Sequence, residues 1–348
     1  MQSIEQFQER VRAAAADKTP LRIRGGGGKD WYGQRLEGEI LDTRGYSGVV
    51  DYEPTELVIT ARCGTPLAEI EAVLAERNQM LAFEPPHFGT GATLGGTIAA
   101  GLSGPRRATS GAVRDFVLGA RLLDGKGDVL SFGGQVMKNV AGYDVSRMLA
   151  GSLGTLGLLL EVSVKVLPRP FAETTLRLET GEIDAIRKLN EWGGQPLPLS
   201  GSCWHDGVLS LRLSGAQAAV DAAVRLIGGE TVPDAGHFWA GLREQRHPFF
   251  AGAGALWRLS VPSTTGAVIL GGAQLIEWGG AQRWLRTGLD AATIRRTVSS
   301  AGGHATLFRG GDKSSGVFQP LPPAIARIHE RLKASFDPAH VFNPGRMY

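Results

Sequence analysis

Three glycine-rich stretches carry the residues of this chain best suited to hold a ligand. The first is LRIRGGGGKDWYG, where Gly25, Gly26, Gly27 and Gly28 follow a short alternating run, Leu21-Arg22-Ile23-Arg24. Backbone of this kind lets N–H groups approach an anion with no Cβ in the way. The second is EPPHFGTGATLGGTIAAGLSGPRRATSG, in which Gly89, Gly91, Gly95, Gly96, Gly101, Gly104 and Gly111 are interleaved with Thr90, Thr93, Thr97 and Ser103. Small residues at that density let backbone lie flat against a planar ligand, and the hydroxyls can bond to phosphate or ring edges. The third is the turn Gly151-Ser152-Leu153-Gly154-Thr155-Leu156-Gly157, which runs into the apolar segment LLLEVSVKVL.

The four-glycine run admits several readings. A P-loop needs G-x-x-x-x-G-K-[ST], and Asp30 stands where its magnesium-binding hydroxyl belongs. A dinucleotide loop of the Rossmann kind opens directly into a helix, which Trp31-Tyr32-Gly33 does not resemble. A phosphate-cradling turn that needs no helix remains, as does a flexible hairpin loop with no ligand. The second and third stretches favour the cradle, because tight turns alone explain the glycines but not so many hydroxyls beside them.

Composition bounds the partners. Of 348 residues 43% are hydrophobic and 20% charged, ordinary for a globular protein, whereas 49 glycines are roughly double the usual share. The net charge of +3 comes with no long basic run, which argues against nucleic acid and anionic membrane as partners. The N-terminal segment reads as an amphipathic helix and not as a signal peptide. No window reaches 18 apolar residues, so no transmembrane segment is expected. Cys63 and Cys203 are far apart in sequence, which suits a reduced cytoplasmic compartment and neither a disulfide framework nor an iron–sulfur cluster.

The elements that must position these loops fall into three parts. Residues 1–170 alternate short strands with helices and end at the breaker Leu167-Pro168-Arg169-Pro170. In residues 171–320, TTLRLE, VLSLRLS, ALWRLSVP, AQLIEW and ATLFRG read as strands, and three amphipathic stretches read as helices. That pattern predicts an antiparallel sheet with helices on one face. Residues 321–348 begin with Pro322-Pro323, place Ile325, Ile328 and Leu332 at helical spacing, and close with the tail HVFNPGRMY.

Taken in order, R-x-x-G-G-G-G, A-T-L-G-G-T, V-R-D-F-V-L-G, K-N-V-A-G-Y-D, G-S-L-G-T-L-G and N-P-G-R resemble the flavoproteins of the vanillyl-alcohol-oxidase type. More narrowly, they resemble the smaller FAD-domain (E-type) subunits of bacterial glycolate oxidase. The dense match covers residues 20–170 and the tail. The resemblance implies an α+β protein: a PCMH-type FAD-binding domain of two α+β subdomains, a short antiparallel cap, and a C-terminal helix returning to the FAD domain. It implies FAD as cofactor. Gly25 to Gly28 would hold the pyrophosphate, and Thr93, Gly95, Gly96, Thr97, Ser103 and Gly104 would run beside the flavin. Gly151, Ser152, Gly154 and Thr155 would form a second flavin-contacting loop, Val162 would offer backbone atoms to the adenine, and Arg346 would close over the pocket as a cation. A solvated terminal arginine is the plain alternative for Arg346. No histidine lies near the glycine run in sequence, His87 being the first, so non-covalent FAD is expected.

Other residues have ordinary readings beside functional ones. Arg106-Arg107 could meet phosphate or form a surface pair. Asp115 could order a turn, and His304 could be a strand-edge residue. Lys138, Tyr143 and Asp144 match the family without a clear chemical role. Relatives that oxidise hydroxy acids carry a run like G-E-H-G, where this chain has GGHATLFRGG, and no His/Asp/Glu cluster has metal-ligand spacing. No catalytic residue and no metal is therefore assigned. The expected protein is an FAD-dependent oxidoreductase subunit, inactive alone, working with a larger FAD-containing subunit and an iron–sulfur subunit of glycolate oxidase. It would be cytoplasmic, or peripheral to a membrane through that complex. A flavin-independent assembly partner is the alternative, and a self-sufficient sugar or alcohol oxidase the third reading.

Overall fold

The computed structural model describes residues 2–134 and 144–347. The chain divides into two compact units, one of Met1–Leu102, Ala112–Pro168 and Pro320–Tyr348, the other of Ser103–Gly111 and Arg169–Gln319.

The first unit is built on a five-stranded antiparallel sheet in the order Val49–Glu53, Val58–Arg62, Leu158–Lys165, Val117–Leu123, Val129–Gly133. The strand Leu158–Lys165 (LLLEVSVK) lies at its centre with neighbours on both sides and is buried at six of eight positions, all but Glu161 and Lys165. A separate parallel pair, Leu21–Arg24 with Glu39–Asp42, carries the four-glycine run at its end. Helix Ile4–Asp17 starts at a capping box formed by Ser3 and Gln6, and buries Phe7, Val11 and Ala14. Mixed helix and sheet with antiparallel pairing is the α+β class the sequence predicts.

The second unit is an eight-stranded antiparallel sheet in the order Glu230–Val232, Ala172–Glu179, Val208–Gly215, Leu199–His205, Ala273–Glu277, Gln282–Thr287, Ala255–Ser260, His304–Arg309. Helices Glu182–Gly193 and Gln217–Ile227 cover Leu176, Leu209, Leu211 and Leu213, while Ala291–Ser300 covers Trp257, Leu259 and Leu285. Two interior strands escape the sequence pattern. Leu199–His205 (LSGSCWH) is too rich in small residues to alternate. Gln282–Thr287 (QRWLRT) buries Arg283 completely, and its guanidinium bonds to the carbonyls of Gly280, Gly266 and Thr265 at 3.2, 2.7 and 2.5 Å.

The last helix is Pro323–Phe336. Its apolar stripe is not buried as a whole. Leu332 and Phe336 pack on the core of the first unit, but Ile325 and Ile328 are 42% and 59% exposed. The anchor is polar: Lys333 is buried, and its ammonium donates to Asp337 Oδ2 at 2.5 Å and to the carbonyls of Thr155 and Phe342 at 2.6 and 2.9 Å. Asp337, wholly buried, also accepts from the amides of Val341 and Phe342.

Candidate functional site: a glycine-floored cleft in the first unit

The bare backbone of the four-glycine run lies against the second glycine stretch. A Cβ on Gly26 would stand 1.5 Å from the carbonyl oxygen of Gly91, and one on Gly25 2.3 Å from Thr93 Oγ1. Only Gly27 of the four has positive φ (+74°), so close approach, not backbone conformation, demands glycine at position 26. The third stretch joins from the other side. Leu153 N–H donates to the Ala99 carbonyl and Gly151 N–H to that of Ile98. The result is a cleft lined by Gly25 to Gly28, Thr93, Gly96, Leu153, Asn343 and Arg346 among others. A contiguous hollow between Gly25, Gly95, Gly96 and Gly154 extends toward Cys63 and Leu158.

The hydroxyls of the second and third stretches are mostly spent on structure. Thr93 caps helix Leu94–Ala100, accepting from Gly96 N–H at 3.3 Å. Thr155 is buried and donates to the Ser152 carbonyl at 2.8 Å. Thr97 is buried with its hydroxyl unpartnered. Val162 stands apart. It pairs with Ala61 on one side and Ala120 on the other, is fully buried, and lines neither hollow, which is instead reached by Leu158 and Leu159. That strand position is enclosed by its neighbours on both sides. Ser103 and Gly104 belong to the second unit, where the Gly104 carbonyl accepts from Trp278 Nε1 at 3.1 Å.

Arg346 is not a solvated end. It is 6% exposed, and its guanidinium donates to the carbonyls of Asp30, Lys29 and Arg35 at 3.0, 3.2 and 3.3 Å. Burial pushes its pKa down to about 10, opposed by nearby Asp30, so it remains charged at neutral pH. Asp30 in turn accepts from Arg22 and Arg24 at 2.5 and 2.8 Å. The cleft lining thus holds Arg24, Lys29 and Arg346 against a single carboxylate, Asp30. A cation excess over a Cβ-free floor fits a diphosphate. A Cβ on Gly96 would meet only Thr93 Oγ1, at 3.2 Å, and otherwise project into free space, so that position is also open to a ligand.

Asn343, absent from the expected site residues although the tail motif includes it, ties this cleft together. Its Oδ1 accepts from Ile23 N–H at 2.8 Å and its Nδ2 donates to the Leu153 carbonyl at 2.6 Å, joining the first strand to the third glycine turn. An asparagine at φ 41° before a Pro-Gly pair is the local signal that could have found it. His87 corrects a premise about distance. Its carbonyl lies 3.1 Å from a Cβ placed on Gly28, so a histidine is close to the glycine run in space, but its imidazole turns to Glu71 at 3.0 Å.

Arg106, Arg107, Asp115 and Asp144 have structural partners. Arg106 pairs with Glu173 at 2.8 Å, and Arg107 lies 4.4 Å over the Trp278 ring. Asp115 accepts from Ala112 N–H at 2.8 Å, ordering a turn. Asp144 caps Val145–Met148, whereas Lys138 and Tyr143 lie outside the described residues. His304 is exposed at the start of an edge strand, opposite Ser260. Among the described residues no group of three His, Cys, Asp or Glu could hold a metal ion, and no helix is long and apolar enough to cross a membrane.

The model of the FAD binding domain family FAD_binding_4 matches residues 1–133. Alkyldihydroxyacetonephosphate synthase shares the fold at a TM-score of 0.66 and 16% identity, over 98% of this chain and 75% of that one. The protein is accordingly an FAD-binding oxidoreductase subunit of α+β, PCMH-like fold. Glycolate oxidase subunit GlcD of Bacillus subtilis (strain 168) is 32% identical over 149 residues, covering 42% of this chain and 31% of that protein. Glycolate oxidase subunit GlcE of Escherichia coli (strain K12) is 54% identical over 340 residues, 98% of this chain and 96% of that one. The chain belongs to the GlcE family of glycolate oxidase subunits.

Proposed function

We propose that this chain is the FAD-carrying subunit of a multi-subunit glycolate (2-hydroxy acid) oxidase, passing electrons in concert with a larger flavin subunit and an iron–sulfur subunit. The observation that carries the reading is the full-length likeness to GlcE, joined to a cleft whose floor and charge suit a dinucleotide. In that cleft Gly25 to Gly28 and the Thr93–Gly96 turn would hold the FAD diphosphate through backbone donors. Gly95, Gly96, Gly151, Ser152 and Gly154 would border the ring, and Thr97 and Thr155 would support the turns from beneath. When bound, FAD supplies hydride and electron transfer. The chain's own residues orient it, exclude water and neutralise its phosphates.

Oxidation of a hydroxy acid also needs a base for the hydroxyl proton and a cation for the carboxylate. Partial burial of the ring and then nearby Arg258 lower the His304 pKa, which weakens it as a base and supports a division of labour between subunits. The purified chain should show a bound-flavin spectrum and photoreduce, yet glycolate should neither bleach the flavin nor, with an artificial acceptor present, reduce that acceptor. Co-expression with the two partner subunits should restore turnover. Robust glycolate oxidation by the isolated chain would overturn the partner reading, and a colourless chain that still restores the complex would make it an assembly subunit.

A further inference from the structure

The second unit contains a cavity of ≈ 380 Å³ that the flavin reading does not use. Its floor is the sheet face opposite helices Glu182–Gly193 and Gln217–Ile227. Thr175 and Arg177 come from one strand, and Ser210 and Cys203 continue the row from Arg177 across the next two strands in register. Leu176, Leu209 and Leu211 alternate with these residues and face the core under the helices.

Thr175 shows what the floor calls for. It is 4% exposed, and its Oγ1 accepts from Trp239 Nε1 at 2.9 Å, while among the described residues its own proton meets no acceptor. A buried hydroxyl fixed by one bond and idle at the other points to an acceptor that the chain itself does not supply. Beside it, among the described residues, neither the Arg177 guanidinium nor the Ser210 hydroxyl makes a hydrogen bond or ion pair.

Two imidazoles extend the set of donors, those of His205 and His247, with ring centroids 5.4 Å apart. His247 Nδ1 accepts from Phe249 N–H at 3.3 Å, so in the neutral ring its proton sits on Nε2. Burial, and then the charge of His205, lower the His247 pKa and favour that neutral ring. His205 Nδ1 lies 2.9 Å from the Gln274 carbonyl, which can only accept, so Nδ1 carries a proton, and in the charged ring Nε2 carries a second. Both rings thus have an Nε2–H left to donate. Among the described residues Asp206, exposed at the turn after His205, is the one carboxylate of the lining.

We propose that this cavity binds a phosphomonoester, its phosphoryl oxygens on the Thr175 hydroxyl, the Arg177 guanidinium and the two imidazoles, and its organic group against Phe238, Val232 and Ala235. Donors from four side chains exceed what the two oxygens of a carboxylate seat, whereas a phosphoryl group offers three terminal oxygens. Arg177 and a charged His205 outweigh the single charge of Asp206. The volume exceeds what a bare phosphate fills, and the apolar side chains of the lining take up the remainder. The site consists of second-unit residues alone, and it does not depend on the electron-carrying role.

Calorimetric titration of the full-length flavin-loaded chain with phenyl phosphate tests this, because bound FAD keeps the probe out of the glycine cleft. Inorganic phosphate, which lacks the organic group, and benzoate, which offers a ring and only two acceptor oxygens, are the comparisons. Phenyl phosphate should bind at least tenfold more tightly than either. Thr175→Val and Arg177→Met should each weaken it at least tenfold. Arg177 is exposed, so its variant tests the site even if Thr175→Val, which strands Trp239 Nε1, fails to fold. No measurable binding of phenyl phosphate at millimolar concentration, equal affinity for benzoate or inorganic phosphate, or affinity unchanged in Arg177→Met would each overturn the proposal.

Discussion

Replacing Arg346 by methionine tests whether the tail holds the glycine cleft by geometry or by charge. The guanidinium reaches three carbonyls of the segment that follows the glycine run. The tail backbone pairs with the same segment, Gln34 N–H to the Arg346 carbonyl at 2.9 Å and Arg35 N–H to that of Gly345 at 3.2 Å. Hydrogen bonds to a charged group contribute about 1.5–3 kcal/mol each, and three on one side chain do not add, so about 3 kcal/mol is a reasonable loss. If the 29–35 segment must be ordered to close on flavin, that loss weakens FAD binding about a hundredfold, at about 1.4 kcal/mol per factor of ten. Fluorescence titration of the apoprotein with FAD measures it. Arg346→Lys separates the causes, since it keeps the charge but loses the planar fork that spans three acceptors. A clamp predicts that lysine recovers little affinity, and that the flavin retained by either variant keeps its reduction potential. Full recovery by lysine, or a lowered potential in Arg346→Met, would refute the clamp and show a cation acting on the flavin itself.

Glycine substitutions should divide folding from binding: Gly26→Ala must separate two packed backbones and should fail to fold stably, while Gly96→Val should fold near the wild-type melting temperature but purify without flavin. Lys333→Met strands a buried carboxylate, and loss of one partner of such a pair costs about 3–5 kcal/mol. Urea denaturation of the apoprotein should show that loss, and Lys333→Met/Asp337→Leu should recover part of it. Acid or heat precipitation should release yellow flavin into the supernatant, because the His87 imidazole is turned to Glu71 and away from the glycine run. Colour remaining with the pellet would mean a covalent link.

What the sequence reveals about this site is what a few neighbouring residues can encode. Four glycines in a row announce backbone that something must approach, and the alternation of small residues with hydroxyls in residues 84–111 announces a second such surface. The sequence does not say that the first something is the other glycine segment, because Gly26 and Gly91 meet only after the chain between them has folded. The same limit explains Asn343 and Lys333, whose partners Leu153 and Thr155 lie 190 and 178 residues away. In sequence they are a turn residue and a lysine on an amphipathic helix. Pattern also misled where burial was satisfied by polar means: Leu199–His205 and Gln282–Thr287 are interior strands although neither alternates, because small residues and a carbonyl-wrapped arginine fill the space that apolar side chains usually take. Val162 is the opposite case. Its strand was legible as buried, and burial on both sides is what removes its backbone from the cleft. The hollow is reached instead by Leu158 and Leu159 at the start of that strand, next to the glycine turn that precedes it.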